Sequence, residues 1–91
     1  MAVLSSREVE DKIKDLEGWE VSGNEIRKVY EMKNFIDSIG FVNKVAILAE
    51  KADHHPDILI KYSKVSISLS THSEGGITEK DFNLASQVDE I

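Results

Sequence analysis

Two alternating apolar runs, separated by a short polar break, constrain the fold of this chain more than any other feature. The runs cover residues 57–62 and 64–71, and both alternate in the way that is typical of half-buried strands. Together they predict a β-hairpin. With the turn centred between Ser63 and Lys64, every apolar side chain on one face meets another, in the pairs Tyr62–Val65, Ile60–Ile67 and Ile58–Leu69. A two-residue loop and a four-residue loop give the same register, and because Ser-Lys suits the tightest turns poorly, we favour the four-residue loop.

A first helix and a first hairpin are predicted before this segment. Ser5 and Glu8 form a capping-box pattern, which places a helix over residues 6–17. Residues 19–21 and 25–32 have the composition of two short strands, and the turn-forming residues 22–24 lie between them. We therefore expect a helix followed by a hairpin in the first third of the chain.

A second helix is predicted between the two hairpins. Asn34 can cap it, and Pro56 restricts the residue before it, so the helix should end near residue 53 or 54. Its apolar side chains cover so much of its circumference that we expect the buried spine of the domain. They form one stripe and a flanking set: Phe35, Ile39, Val42, Ala46 and Ala49, with Phe41, Val45 and Leu48 beside them.

A third helix completes the predicted order of elements. Thr78 can cap it, with Asp81 at the capping-box position. The order is then α-β-β-α-β-β-α over a single domain of residues 1–91. Two hairpins and three amphipathic helices predict an α+β fold, in which a four-stranded antiparallel sheet carries three helices on one face. A core this small and strands with open edges also predict a homo-oligomer.

Charge balance and the lack of cysteine exclude several classes of function. Lys and Arg number 11 and Asp and Glu number 17, which gives a net charge of −6. This balance argues against nucleic-acid binding, which needs a basic surface. With no cysteine, disulfides, thiolate catalysis and cysteine-based zinc sites are excluded. No signal peptide or membrane-length apolar segment is recognisable, so we expect a cytoplasmic protein without a membrane partner.

The three histidines are predicted to meet at one end of the second hairpin. If the predicted register continues by one more pair on the same face, His55 lies opposite His72, and His54 is adjacent. Asp81 follows across a short Gly-rich loop and can reach the same place. A histidine cluster with a carboxylate is suited to proton transfer near neutral pH. We therefore predict general acid–base catalysis at this point.

Plainer interpretations stand beside this prediction. A single histidine in a small domain is usually an ordinary surface or core residue, and Asp81 is first of all a capping partner of Thr78. The main rival is a zinc site built from the three histidines and a carboxylate. Against it, His54 and His55 are adjacent and point in different directions, and no histidine pair has the i, i+4 helical spacing. We therefore expect neither a metal nor any other cofactor.

The segments around the histidines resemble the pterin-4a-carbinolamine dehydratase family, and the resemblance covers nearly the whole chain. The matching residues are Ala49-Glu50-Lys51-Ala52-Asp53-His54-His55-Pro56-Asp57, Tyr62, Leu69-Ser70-Thr71-His72, and Asp81 with Asn83-Leu84-Ala85. The resemblance implies four antiparallel strands with three helices, assembled into dimers or tetramers. It also implies that the protein removes water from 4a-hydroxytetrahydropterin without a metal and forms quinonoid dihydropterin. This reaction serves the recycling of tetrahydropterin.

The same resemblance implies the site residues. The family's catalytic positions match His54, His55, His72 and Asp81. Its pterin-contacting segments match His54, His55 and Pro56 and then Thr71, His72, Ser73 and Glu74. Some family members carry an aromatic residue where this chain has Ile58, which cannot stack on a ligand in the same way. Some also bind dimeric transcription factors, so a protein partner is the alternative function, or a secondary one.

Overall fold

The computed structural model describes residues 2–91, and the helices and strands follow the predicted order. They are α1 (Ser6–Ile13), β1 (Glu20–Ser22), β2 (Glu25–Glu31), α2 (Phe35–Ala52), β3 (Asp57–Lys61), β4 (Lys64–Leu69) and α3 (Glu79–Asp89), with a 3-10 turn at His72–Glu74 between β4 and α3. The four strands form one antiparallel sheet in the order β1-β2-β4-β3. The predicted fold class is therefore confirmed.

The helices cover one face of this sheet. Along β4, Val65, Ile67 and Leu69 are fully buried, whereas Ser66 and Ser68 between them are partly exposed on the opposite face. Helix α2 contacts both β4 and α3, and α1 contacts β1. The strand alternation therefore separates an apolar core from an uncovered surface that is mainly polar. Among residues 2–91, no helix combines the length and apolarity that a membrane span requires.

Helix α1 is shorter than predicted because the chain tightens after Ile13. The capping box of Ser5 and Glu8 is present, as predicted. The amides of Asp15 and Leu16 then donate to carbonyls three residues back, as in a 3-10 turn, rather than four. The predicted helical span to residue 17 is therefore wrong. This tighter path brings Trp19 into the core, where the side chain is 6% exposed.

Helix α2 buries a different stripe from the one predicted. The buried side chains are Ser38, Phe41, Val45 and Ala49. Several large apolar side chains instead face outward, with exposures of 51% at Phe35, 79% at Ile36, 39% at Ile39 and 58% at Ile47. The expectation of a wholly buried spine is therefore wrong, because apolar periodicity does not say which side of a broadly apolar helix meets the sheet.

The second hairpin is shifted by two residues from the predicted register. Ile60 pairs with Val65 and Ile58 with Ile67, so the loop consists of only Tyr62 and Ser63. Tyr62 adopts a left-handed backbone with φ of 53°, which a loop this tight needs and which residues other than glycine rarely supply. The predicted pairs and the four-residue loop are wrong. A two-residue shift keeps every side chain on its predicted face, so the alternation cannot detect it.

A polar network ties β2 to the last turn of α3. The carboxylate of Asp89 accepts hydrogen bonds from the Trp19 indole at 3.0 Å, the Lys28 ammonium at 2.9 Å and the Tyr30 hydroxyl at 2.5 Å. Burial of the phenol raises the pKa of Tyr30 above its ordinary value, and the hydrogen bond and charge of Asp89 raise it further. The folded protein therefore favours the neutral phenol.

This network predicts a loss of stability at alkaline pH. Because the pKa of Tyr30 is raised in the fold, its stabilising effect is complete below the unfolded value of about 10 and declines as pH rises above it. Denaturant unfolding between pH 9 and pH 11 should show that the free energy of unfolding declines less steeply with pH in Tyr30→Phe than in the parent. Tyr62→Phe, which removes an exposed phenol, is the matched control. Equal slopes in the parent and Tyr30→Phe would contradict the assignment.

Candidate active site

The predicted pairing of His55 with His72 does not occur. The observed register, continued outward, would set His55 opposite Ser70, and β3 begins only at Asp57. His72 lies beyond the end of β4, in the 3-10 turn. Convergence through the hairpin register is therefore wrong. The end of α2 places His54 and His55, and the 3-10 turn places His72.

His54 and Asp81 form a buried pair. At the end of α2, Asp53 adopts a left-handed backbone with φ of 49° and ψ of 45°, and the next amide, that of His54, donates to the Ala49 carbonyl at 3.1 Å. This turn directs the His54 side chain inward. Its Nε2 lies 2.5 Å from Oδ1 of Asp81, and the two residues are 8% and 0% exposed.

The other contacts of Asp81 determine which nitrogen of His54 carries the proton. Oδ2 of Asp81 accepts hydrogen bonds from the Thr78 amide and the Thr71 hydroxyl, both at 2.9 Å. The capping role predicted for Asp81 is thus confirmed, and the same carboxylate also contacts His54. An ionised carboxylate only accepts hydrogen bonds, so Nε2 of His54 donates. In the neutral ring, Nδ1 then keeps a free lone pair.

The free nitrogen of His54 is not completely buried. No protein group bonds Nδ1 within residues 2–91, and no buried side-chain nitrogen or oxygen of that part of the chain lacks a partner. Nδ1 must therefore be accessible to solvent or to a ligand. A carboxylate that orients one imidazole nitrogen while the other stays open is suited to accepting a proton.

His55 points away from this pair and towards Glu50. Its Nε2 lies 2.5 Å from Oε2 of Glu50, and the two side chains are 59% and 75% exposed. The sequence analysis did not predict this contact. The two residues become neighbours only because the left-handed residue Asp53 folds the chain back over the last helical turn. The pair orients His55 but, being exposed, contributes little to stability.

Thr71 organises the turn that carries His72. Its carbonyl accepts the amides of Glu74 and Gly75, both at 3.0 Å, and its own amide donates to the Gly76 carbonyl at 2.9 Å. Gly76 packs closely against the N-terminal segment, since a Cβ at this position would lie 2.9 Å from Cγ1 of Val3. The turn is thus held at both ends.

The predicted substrate-contacting residues divide into exposed and buried ones. Exposed side chains are those of His55, His72, Ser73 and Glu74, and Pro56 is partly exposed. Thr71 is only 4% exposed, and its hydroxyl bonds inward to Asp81. Clefts of about 250, 570, 390 and 230 Å³ lie elsewhere, and none of these four is lined by the predicted catalytic residues.

The zinc site considered in the sequence analysis would need the three histidines and a carboxylate to lie close together. Over residues 2–91, no group of three or more His, Cys, Asp or Glu residues is arranged to hold a metal ion. Around Asp81 the structure brings together His54, Thr71 and Thr78. This arrangement is suited to handling protons.

Comparison with known proteins adds a family relationship to this geometry. A sequence model described as pterin 4 alpha carbinolamine dehydratase matches residues 2–91. A relative from Roseiflexus castenholzii is 54% identical over 90 residues, which cover 99% of this chain and 97% of the relative. Another, from Sulfolobus acidocaldarius, is 43% identical over 88 residues, which cover 97% of both chains. Both carry the provisional name pterin-4-alpha-carbinolamine dehydratase.

Two solved structures are also similar. The first, a transcriptional coactivator/pterin dehydratase from Brucella melitensis, is 36% identical with a TM-score of 0.91, covering 97% of this chain and 96% of that one. The second is a pterin dehydratase-like protein identified as a RuBisCO assembly factor in the alpha-carboxysome. It is 22% identical with a TM-score of 0.64, over 79% of this chain and 83% of that one, and shows only a shared fold.

Proposed function

The chain belongs to the pterin 4 alpha carbinolamine dehydratase family, and from that premise we propose that it removes water from a 4a-hydroxytetrahydropterin. The product is the quinonoid dihydropterin, and the reaction serves the recycling of tetrahydropterin. The observation that carries the proposal is the buried His54–Asp81 pair, which leaves Nδ1 of the imidazole without a protein partner among residues 2–91.

The reaction needs two proton transfers. The bond from C4a to the hydroxyl oxygen breaks, and that oxygen leaves as water after it receives a proton from an acid. The adjacent ring N–H gives its proton to a base, and its electron pair forms the new carbon–nitrogen double bond. The protein therefore gives up one proton and gains one, and exchange with solvent restores both groups. Positioned histidines supply both functions near neutral pH.

We assign the base to His54 and the acid to one of the exposed histidines. Nδ1 of His54 accepts the ring proton, while Asp81 holds Nε2 and stabilises the positive charge that the ring gains. His55, just before Pro56, and His72, just after Thr71, are both exposed. They are the candidate donors to the leaving hydroxyl. Pro56, Ser73 and Glu74 are the remaining proposed contacts of the pterin.

A direct assay tests the proposed reaction. Carbinolamine generated chemically in the assay should lose water faster with the folded protein than in buffer alone, and the rate should scale with protein concentration. A second arm contains a chelator, and we expect its rate to equal that of the first, because proton transfer suffices for this chemistry. No acceleration by well-folded protein would reject the proposed function. Loss of activity on chelation that zinc restores would reject the metal-free mechanism.

We also propose that the protein forms a homo-oligomer, either a dimer or a tetramer, through the outward face of α2. The outer α2 patch consists of Phe35, Ile36, Ile39 and Ile47, and several large exposed apolar side chains on one helix often mark a protein contact. On a helical wheel, Ile36 and Ile47 lie opposite Phe41 and Val45, so they cannot contribute to the core of their own chain. A second copy presents the same patch and can cover it symmetrically.

Light scattering tests this assembly. The parent at micromolar concentration should have a mass that is a multiple of the single chain, and the double variant Ile36→Lys/Ile47→Lys should reduce it. Glu10→Lys, which changes an exposed side chain on α1, is the matched control and should leave the mass unchanged. A parent of single-chain mass would contradict self-association. It would favour a different protein as the occupant of the patch, as the coactivator name of the Brucella relative suggests.

A further inference from the structure

We propose that Thr71 is a positioning residue that links the turn carrying His72 to the His54–Asp81 pair. This role differs from the substrate contact that the sequence motif implied for Thr71. The inference rests on the proposed dehydratase function for its kinetic consequence. Its structural consequence, the orientation of the His54 ring, can be measured without turnover.

The side chain of Thr71 occupies the middle of a directed chain of hydrogen bonds. Its Oγ1 lies 2.9 Å from Oδ2 of Asp81 and 2.7 Å from Oγ1 of Thr78. A hydroxyl has a single hydrogen to donate, and the carboxylate only accepts, so Thr71 donates to Asp81. The Thr78 hydroxyl must then donate to Thr71. The chain ends on the carboxylate that faces His54.

The backbone of Thr71 holds the turn that carries His72. Its carbonyl accepts two amides of the 3-10 turn, and its amide bonds to Gly76, which closes the loop around His72. One residue therefore fixes the turn through its backbone and the Asp81 carboxylate through its side chain. A displacement at Thr71 would therefore move His72 relative to the His54–Asp81 pair.

Burial explains why the hydroxyl acts through Asp81 and not on a ligand. Thr71 is 4% exposed, and both hydrogen-bonding directions of its hydroxyl are occupied by buried partners. Without this donor, Oδ2 of Asp81 keeps only the Thr78 amide, and the carboxylate can turn away from Nε2 of His54. The loss should therefore reduce the rate of the chemical step more than it weakens substrate binding.

Paired variants of Thr71 test the proposal. Thr71→Val keeps the shape and removes the donor, whereas Thr71→Ser keeps the donor and removes a methyl group. Thr71→Val should lower kcat by roughly tenfold or more and change KM by less than about threefold. Thr71→Ser should stay within about threefold of the parent in both constants. The imidazole N–H proton signal of His54 in NMR should shift or broaden in Thr71→Val and persist in Thr71→Ser.

Several outcomes would overturn the proposal. A raised KM with unchanged kcat in Thr71→Val would make Thr71 a substrate contact, and unchanged kinetics would give it no role. An unchanged His54 signal in folded Thr71→Val would reject the positioning role even if the parent had no dehydratase activity. If circular dichroism shows Thr71→Val to be unfolded, Thr71→Cys takes its place. Its thiol is a weaker donor of similar size, so kcat should be lower than that of the parent, and an unchanged kcat would count against the proposal.

Discussion

Replacing His54 with glutamine is expected to lower turnover by about 10²- to 10⁴-fold, the usual contribution of a positioned acid or base. The glutamine amide can donate to Asp81 from nearly the place that Nε2 of His54 occupies, so the buried carboxylate keeps a partner. It cannot take up the proton that we propose Nδ1 accepts. His54→Gln therefore removes the proton acceptor while it preserves the packing around Asp81.

The measurement is turnover above the spontaneous rate, since the carbinolamine also dehydrates in buffer. His54→Ala is a less clean change because it leaves the Asp81 charge buried without its partner, and part of its effect would be loss of stability. His55→Gln and His72→Gln should each lower turnover as well, with little change in folding, because both side chains are exposed. If all three glutamine variants are folded and as fast as the parent, the acid–base assignment is wrong.

Replacing Asp81 with asparagine should have a comparably large effect through the tautomer of His54. The Thr78 amide and the Thr71 hydroxyl both donate to the Oδ2 position, so the asparagine carbonyl oxygen takes that place. Its NH₂ group then faces Nε2 of His54 and donates to it. The ring must move its proton to Nδ1, which can no longer accept one. We expect turnover to fall by about 10²-fold or more with circular dichroism unchanged.

Asp81→Ala separates stability from catalysis at the same position. It removes the helix cap, worth about 1 kcal/mol, and leaves His54 and two further donors without their acceptor, so we expect a total loss of about 3–5 kcal/mol in unfolding free energy. Glu79→Gln is the matched control, because it alters a partly exposed carboxylate in the same helical turn. Asp81→Asn with parental turnover would reject the tautomer argument.

Local signals in the sequence predicted where the three helices begin. The capping boxes of Ser5 with Glu8 and of Thr78 with Asp81 each involve residues three apart. Asn34 likewise accepts the Asp37 amide at 2.8 Å. These contacts depend on a single turn of backbone, so a short segment contains all the information that they require. The end of α1 was mispredicted because the tightened turn there leads to the burial of Trp19, whose indole donates to Asp89 at the far end of the chain.

Periodicity defined faces but could not say what covers them. For α2 the apolar side chains extend nearly all round the helix, and the packing of Phe41 and Val45 against the sheet selected one side. For the second hairpin, two registers two residues apart present the same faces. The hydroxyl of Ser38 bonds to the Tyr62 carbonyl at 2.7 Å, and the Met32 amide to that of Ser63 at 2.6 Å. These non-local contacts stabilise the shorter loop.

The order of the helices and strands, the fold class and the family can be read from the amino-acid sequence, because caps, alternation and an ordered motif are properties of the chain. Which histidine meets which carboxylate depends on how the chain folds. Asp81 lies 27 residues after His54, and the left-handed turn at Asp53 sends His54 inward and His55 outward to Glu50. That division depends on how the end of α2 packs against the start of α3, and no spacing along the chain encodes such a contact.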